Sequence, residues 1–264
     1  MEVHKMGNLV RISHCQLNAT LEILGKLGVT QEHFKRVRSS RKYAKAVASA
    51  FLGDDGAMMN YDDVRAILGK DFISPEEIAK ARKIVYGDDL LAHFARTVPS
   101  EKVIRWLREN GFVLMAGPPK PLSLLEIRDI NAQLFYSKEG GWYANERERF
   151  SRDDKVAPEW LMLRKGIFPD SMRKNWDEQR ALLSEFEAEY IPNAPEVAWG
   201  ITTYKEVRNV WLLPDIYART SSAVSDGYRV YLGASAAGGV DVLGRWSDGR
   251  FRNLGLSSAR KLEI

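Results

Sequence analysis

The sequence holds little that fixes a chemistry by itself. It has one cysteine in 264 residues, which excludes a disulfide within the chain and is typical of a reducing compartment. No apolar run approaches the roughly 18 residues that a membrane-spanning helix needs, and no charged-then-apolar leader with a small-residue cleavage site opens the chain. These absences predict a cytoplasmic protein with no membrane partner.

Histidine is scarce as well. His4, His14, His33 and His93 all lie within the first 93 residues, and none has the spacing of a zinc ligand. The sequence also lacks a Gly-x-Ser-x-Gly nucleophile turn and a glycine-rich phosphate loop. We therefore predict no metal and no cofactor. Whether the chain is an enzyme stays open at this point, and the missing motifs favour a protein that is not one.

What is present is an ordinary folding composition with an uneven charge. Hydrophobic residues make up 45% of the chain and charged residues 28%, which is enough for a sizeable core. The net charge is +4, but residues 1–50 alone carry nine Lys/Arg against three Asp/Glu. A basic N-terminal surface of this kind attracts phosphate-bearing partners.

Helical periodicity dominates the first 110 residues. Apolar residues between positions 9 and 27 recur at steps of three and four, Gly28 ends that helix, and Thr30 is placed to cap a second helix over residues 31–52. Cations at the same steps line the outer face of the second helix. The predicted nucleic-acid contacts are Lys35, Arg38, Lys42 and Lys45.

The turn at Gly28 leaves two interpretations open. Apolar residues around it fall where a helix-turn-helix needs them. Against this, Leu24 stands where that motif needs a small residue, and Glu32 would repel DNA phosphates. A plain helical hairpin gives nearly the same pattern, and we favour it.

Proline and glycine divide the rest of the chain. Residues 117–121 read Gly-Pro-Pro-Lys-Pro, and three prolines remove three backbone donors. We therefore predict an α-helical domain over residues 1–116, a connecting segment over 117–158 and an α+β domain over 159–264.

The last fifty residues have the pattern of a sheet. Asp226-Gly227 is typical of a hairpin turn, and alternating strands are expected over residues 211–222, 228–233, 239–246 and 254–262. Joined by short turns, they predict a four-stranded antiparallel meander covered by helices at 171–186 and 195–208. The fold class is therefore α+β.

Residues from about 100 to 264 resemble an uncharacterised family of bacterial hypothetical proteins. That family carries no assigned activity, so the resemblance implies a bacterial, cytosolic origin and no function. The resemblance rests on Pro158-Glu-Trp-Leu-Met-Leu-Arg-Lys165, Lys174-Asn-Trp-Asp-Glu-Gln179, Arg219-Thr-Ser-Ser222, Arg229-Val-Tyr-Leu-Gly233 and Gly255-Leu-Ser-Ser-Ala-Arg-Lys261.

Three functions remain as hypotheses. The first is a binding or regulatory protein that uses the basic N-terminal helix, with nucleic acid as its partner. The second is an enzyme or small-ligand binder with an anionic substrate, which requires the first and fourth strands to lie close together. The third is a scaffold that binds another protein; the oligomeric state is left open. The predicted ligand contacts of the second hypothesis are Arg164, Lys165, Lys174, Arg219 and Arg260.

Overall fold

The computed structural model describes residues 14–44, 47, 59–245 and 248–261. The chain forms two compact units, residues 1–56 and 57–264. The predicted division into residues 1–116, 117–158 and 159–264 does not coincide with these units. The strand before the proline segment, at 112–116, pairs with the strand after it, at 160–164, so that segment lies within one unit.

The described part of the first unit contains two helices, α1 (His14–Lys26) and α2 (Gln31–Ser39). Gly28 lies between them with φ at +86°, as a helix-ending glycine should. The backbone at Ser40 is extended, with φ at −129° and ψ at 110°, and helical structure resumes at residue 41. The prediction of one unbroken helix over residues 31–52 is therefore wrong, because Ser40 interrupts it.

The second unit begins with helices whose ends the sequence marked. Asn60 accepts hydrogen bonds from two amides of the helix at 61–68, and Ser74 forms a capping box with Glu77. Ser123 and Glu126 form a second one. The described helices of this unit are α3 (Tyr61–Leu68), α4 (Pro75–Arg82), α5 (Asp88–Arg96), α6 (Glu101–Glu109), α7 (Leu124–Ile130), α8 (Phe150–Asp153), α9 (Trp176–Ser184) and α10 (Ala194–Arg208).

Two sheets complete the unit, and the fold class is α+β as predicted. The first sheet has the order β1-β2-β3-β9-β4, with β1 parallel to β2 and the other pairs antiparallel. All five residues of β2 are buried, and β2 pairs with a strand on each side. The strands are β1 (Phe72–Ile73), β2 (Phe112–Ala116), β3 (Trp160–Arg164), β4 (Glu189–Tyr190) and β9 (Ala259–Arg260).

The second sheet differs from the predicted meander. Its order is β7-β6-β5-β8, and β8 lies parallel to β5. The first three strands form the expected antiparallel meander, but the fourth lies beside the first. Burial explains the difference, because Leu256 of β8 packs into a cluster with Phe168 and Trp176. The strands are β5 (Tyr217–Ala223), β6 (Arg229–Gly233), β7 (Asp241–Arg245) and β8 (Leu254–Leu256).

Helix α10 lies against strands of both sheets. Ten of its 15 residues are buried, and the Trp199 indole donates to the Ala116 carbonyl at 2.9 Å. Gly200 allows the close approach, because a Cβ there would lie 2.3 Å from a methyl carbon of Leu163. In the part of the chain described, no helix combines the length and apolar character needed to cross a membrane.

Candidate functional site

The N-terminal cations predicted to contact nucleic acid do not share one helix. Lys35 and Arg38 are exposed on α2, and Lys35 pairs with Glu32 at 3.4 Å. Lys42 is exposed but follows the break at Ser40. Lys45 lies outside the described residues. The described helices therefore do not form the expected single stripe of four aligned cations.

Arg164 is one of five predicted anion contacts, and its donors are already used. Its Nε donates to the Ser258 hydroxyl at 3.0 Å, and Nη1 donates to the Asn110 carbonyl at 2.9 Å. Nη2 lies 3.2 Å from a carboxylate oxygen of Glu189. The guanidinium also stacks on Phe112, 4.5 Å from the ring centre. Arg164 therefore joins segments of the first sheet.

Lys165 and Arg260 are engaged as well. The Lys165 ammonium lies 2.6 Å from the Asp71 carboxylate, whose other oxygen accepts from the Tyr204 hydroxyl at 2.8 Å. The Arg260 guanidinium lies 4.3 Å from the ring centre of Trp106. The described contacts of these two cations are thus to groups of the protein itself.

Arg219 is fully buried, and its partners lie on one side of β5. Successive strand side chains point to opposite faces, so Arg219 faces α9 while Thr220 and Ser222 face away. The Thr220 hydroxyl donates to the Val230 carbonyl, and the Ser222 hydroxyl donates to Asp154 at 2.5 Å. The first and fourth strands do lie together, as the ligand hypothesis required. The Thr220 hydroxyl nevertheless lies on the face opposite Arg219, and Lys174 reaches Arg219 only through a backbone carbonyl.

A different part of the second unit forms a concave site, which we call the Trp160 cleft. It lies between the end of α5, the connection to α6 and the start of β3, and its volume is about 410 Å³. Small-molecule sites typically have volumes of about 300–1,000 Å³. The cleft is lined by His93, Arg96, Thr97, Val98, Pro99, Ser100, Val103, Glu159, Trp160 and Met162.

The floor of the cleft is apolar and rigidly held. Trp160 is 6% exposed, and its indole N–H donates to the Phe94 carbonyl at 3.0 Å. The ring packs edge-on against Phe94 at 5.1 Å and against Tyr61 at 5.9 Å. Burial raises the pKa of Tyr61 to about 12, so that phenol stays protonated. The aromatic cluster therefore fixes the Trp160 ring before any ligand arrives.

The rim of the cleft carries ionisable groups of both signs. His93 and Arg96 lie three residues apart in the last turn of α5, and Glu159 precedes β3. Arg96 and Glu159 are exposed, and within the described ranges neither forms an ion pair. A ligand would therefore meet a guanidinium, an imidazole and a carboxylate that are not already neutralised.

Ser100 adds a polar group at the start of α6. It is the N-cap residue by backbone conformation. No side-chain cap bond forms among the described residues. The Ser100 hydroxyl is exposed at the mouth of the cleft. It is therefore available to hydrogen-bond a ligand.

A second concavity is larger but shallow. It lies beside α9, has a volume of about 590 Å³ and is open to solvent. Phe186 and Ile191 are among its apolar lining residues, while Asp177, Arg180 and Lys261 contribute mixed charges. A shallow surface of this kind encloses less of a small molecule than the Trp160 cleft does.

The sequence contained the cleft residues but not their arrangement. Trp160 lies in the core, and His93 was considered from the sequence only as a metal ligand. The sequence did contain a weak signal for the cleft, because His93 and Arg96 lie one helical turn apart just before Pro99. Comparison of the chain with family models, with curated proteins and with solved structures found no match.

Proposed function

We propose that this chain is a binding protein for a small amphipathic molecule, which it holds in the Trp160 cleft. The observation that carries the proposal is the combination of an apolar floor with ionisable rim groups that no described residue neutralises. Ligand sites in proteins have this composition, an apolar pocket with a few placed polar groups.

The chemistry of the rim defines the ligand class. An apolar body would pack on Trp160, Met162 and Val103, where burial of apolar surface supplies most of the affinity. An acidic group on the ligand would pair with Arg96. Glu159 would repel a second acidic group and accept from a donor. The cleft therefore suits a molecule with one apolar end and one acidic end.

The experiment is a fluorescence titration with 8-anilinonaphthalene-1-sulfonate, which has an aromatic body and one sulfonate. We expect saturable binding with one site per chain. Val98→Trp places a large side chain in the cleft and should abolish that saturable phase. Val85→Trp is the matched control, because Val85 is 83% exposed and does not line the cleft.

A charge variant tests the rim separately. Arg96→Gln removes a charge-assisted contact and should weaken the dye about tenfold, since hydrogen bonds to charged groups contribute about 1.5–3 kcal/mol. Equal binding by the Val98→Trp and Val85→Trp proteins would place the dye elsewhere and defeat the proposal.

The N-terminal unit supports a second proposal, which is binding of nucleic-acid phosphates. Residues 31–44 hold five Lys/Arg against one Glu, and all five cations are exposed. Exposed cations release counterions when they contact phosphates, so the affinity should fall steeply with salt. The broken helix still presents these charges, although not as one stripe.

The test is a filter-binding titration with duplex and single-stranded DNA at two salt concentrations. Replacing Arg38 and Lys42 by Glu should weaken binding and reduce its salt dependence. Replacing Lys80 and Lys102 of the second unit by Glu is the control with the same charge change. A protein partner is favoured instead if DNA does not bind, because Leu27 and Ile23 are 74% and 58% exposed.

A further inference from the structure

Among the described arginines of the second unit, Arg82, Arg164 and Arg219 have little exposed side-chain surface, and one of these three differs from the other two. Arg82 lies 2.7 Å from Glu206, and Arg164 lies 3.2 Å from Glu189. Arg219 is fully buried, yet no carboxylate among the described residues forms an ion pair with it. Buried charges in proteins are almost always paired, so a buried Arg219 without a carboxylate partner requires a physical explanation.

The partners of Arg219 are neutral oxygens. Nη1 donates to the Gln179 side-chain oxygen at 3.0 Å and to the Lys174 carbonyl at 3.2 Å, and Nη2 donates to the Gly249 carbonyl at 2.7 Å. Nε is buried and has no partner in the described parts of the chain. Of five N–H donors, these bonds use three, which leaves the Nε donor and the second N–H of Nη2.

The guanidinium is held in place before any anion binds. The Gln179 amide nitrogen donates to the Ser171 carbonyl at 2.7 Å, which turns the amide oxygen toward Arg219. Ser171 is itself fixed, because its hydroxyl accepts from the Leu256 amide at 2.9 Å. A rigid, desolvated guanidinium loses little entropy when it binds an oxyanion.

We propose that Arg219 binds a phosphate-class oxyanion through Nε and Nη2. These two nitrogens form the edge of the guanidinium that takes two oxygens of one anion. Gly249 covers Nη2 with its carbonyl, but it is half-buried and lies between exposed residues, Asp248 and Arg250. The anion would displace that carbonyl, so that a charge-assisted bond replaces a neutral acceptor.

The electrostatics of this region agree with an anion. Burial lowers the pKa of Arg219, and Tyr231, a phenol that is neutral at pH 7, is the group that acts in the opposite direction. Arg229 lies on the neighbouring strand, and its pKa is lowered by burial and then by the nearby Arg180. A bound anion would relieve both costs. This site is separate from the Trp160 cleft, and either can exist without the other.

The test compares thermal unfolding of the full chain in sodium phosphate and in sodium chloride at equal ionic strength and pH 7. We expect phosphate at ten times its Kd to raise Tm by about 3 °C. Arg219→Gln should remove the rise. Arg96→Gln, in the cleft, should keep it. Phenyl phosphate in place of inorganic phosphate, tested in the Arg96→Gln protein so that the cleft does not contribute, distinguishes a phosphoryl group on a larger molecule from the free ion.

A second measurement covers the case in which Arg219→Gln does not fold. In ¹⁵N-labelled wild-type protein, phosphate should shift the Arg219 Nε–H resonance, assigned by its absence in Arg219→Lys. No phosphate-dependent change in either measurement overturns the proposal. A Tm rise that Arg96→Gln abolishes and Arg219→Gln retains also overturns it, because the anion then belongs to the cleft.

Discussion

The guanidinium of Arg82, inside the second unit, forms an ion pair with the half-buried carboxylate of Glu206. Nε lies 2.7 Å from the carboxylate, and the Arg82 side chain has no exposed surface. The same group donates to the Thr203 hydroxyl and stacks on Trp199, 4.4 Å from the ring centre. Burial lowers the pKa of Arg82 to about 10 even with Glu206 beside it. The pair ties α4 to α10.

Breaking this pair should be severe. Glu206→Leu leaves a buried guanidinium without its carboxylate, and we expect a loss of about 3–5 kcal/mol in the free energy of unfolding. The double variant Arg82→Met/Glu206→Leu should recover most of that loss, because no charge is left inside. Urea denaturation of the wild type, the single variant and the double variant measures this loss and its recovery. Equal destabilisation of the single and double variants would show that packing, and not charge, sets the cost.

Glu126 should make the free energy of unfolding depend on pH in the acidic range. The Ser123 backbone amide, followed by Lys155, lowers the pKa of this carboxyl from 4.5 to about 2. The folded protein therefore keeps Glu126 ionised where the unfolded chain protonates it. Its contribution is complete above about pH 4.5 and is lost as the pH falls toward 2. Because the side chain is 41% exposed, solvent screening limits that contribution to about 1 kcal/mol.

The comparison for Glu126 is with Glu126→Gln. Urea midpoints of the two proteins should differ most at pH 6 and converge as the pH is lowered to 2.5. A gap of constant size over that range would mean that the carboxylate charge plays no part in this cap.

Gly117 should tolerate no side chain. A Cβ there would lie 2.1 Å from the Ala157 carbonyl oxygen and 2.7 Å from that of Glu159, and both are backbone atoms that cannot rotate away. Gly117→Ala should cost about 2 kcal/mol or more in urea denaturation. Gly166→Ala is the control, since nothing lies within 4 Å of a Cβ at that position. Similar midpoints for the two variants would contradict the close backbone approach.

Ser171 should be essential to the position of β8. Its hydroxyl donates to the Phe168 carbonyl at 2.5 Å and accepts from the Leu256 amide. Ser171→Ala leaves that buried amide unpaired, which costs about 1–3 kcal/mol. Faster hydrogen exchange at Leu256 is the specific readout. Ser184→Ala, on an exposed hydroxyl that bonds its own helix, should leave both stability and exchange near wild type.

Local signals in this sequence predicted local structure well. Gly28 ends α1 and Thr30 begins α2 as predicted, and Ser74 and Ser123 form capping boxes of the same local kind. These features depend on residues within one turn of each other, so their chemistry can be read directly from the sequence.

Contacts between distant residues could not be predicted in the same way. β8 pairs with β5 because Leu256 is buried against Phe168 and Trp176, which are 88 and 80 positions earlier. Nothing in residues 254–262 alone distinguishes that pairing from a fourth meander strand. The Trp160 cleft is missed for the same reason, since α5 and β3 are more than sixty residues apart.

The short passage Ser257-Ser258 carries the chain from one sheet into the other. β8 ends at Leu256 in the second sheet, and β9 begins at Ala259 between β3 and β4 of the first. β4 has no other strand partner among the described residues. During synthesis, therefore, neither sheet can be completed until residues 254–260 have left the ribosome. Until then, strands formed by the preceding two hundred residues keep unpaired edges.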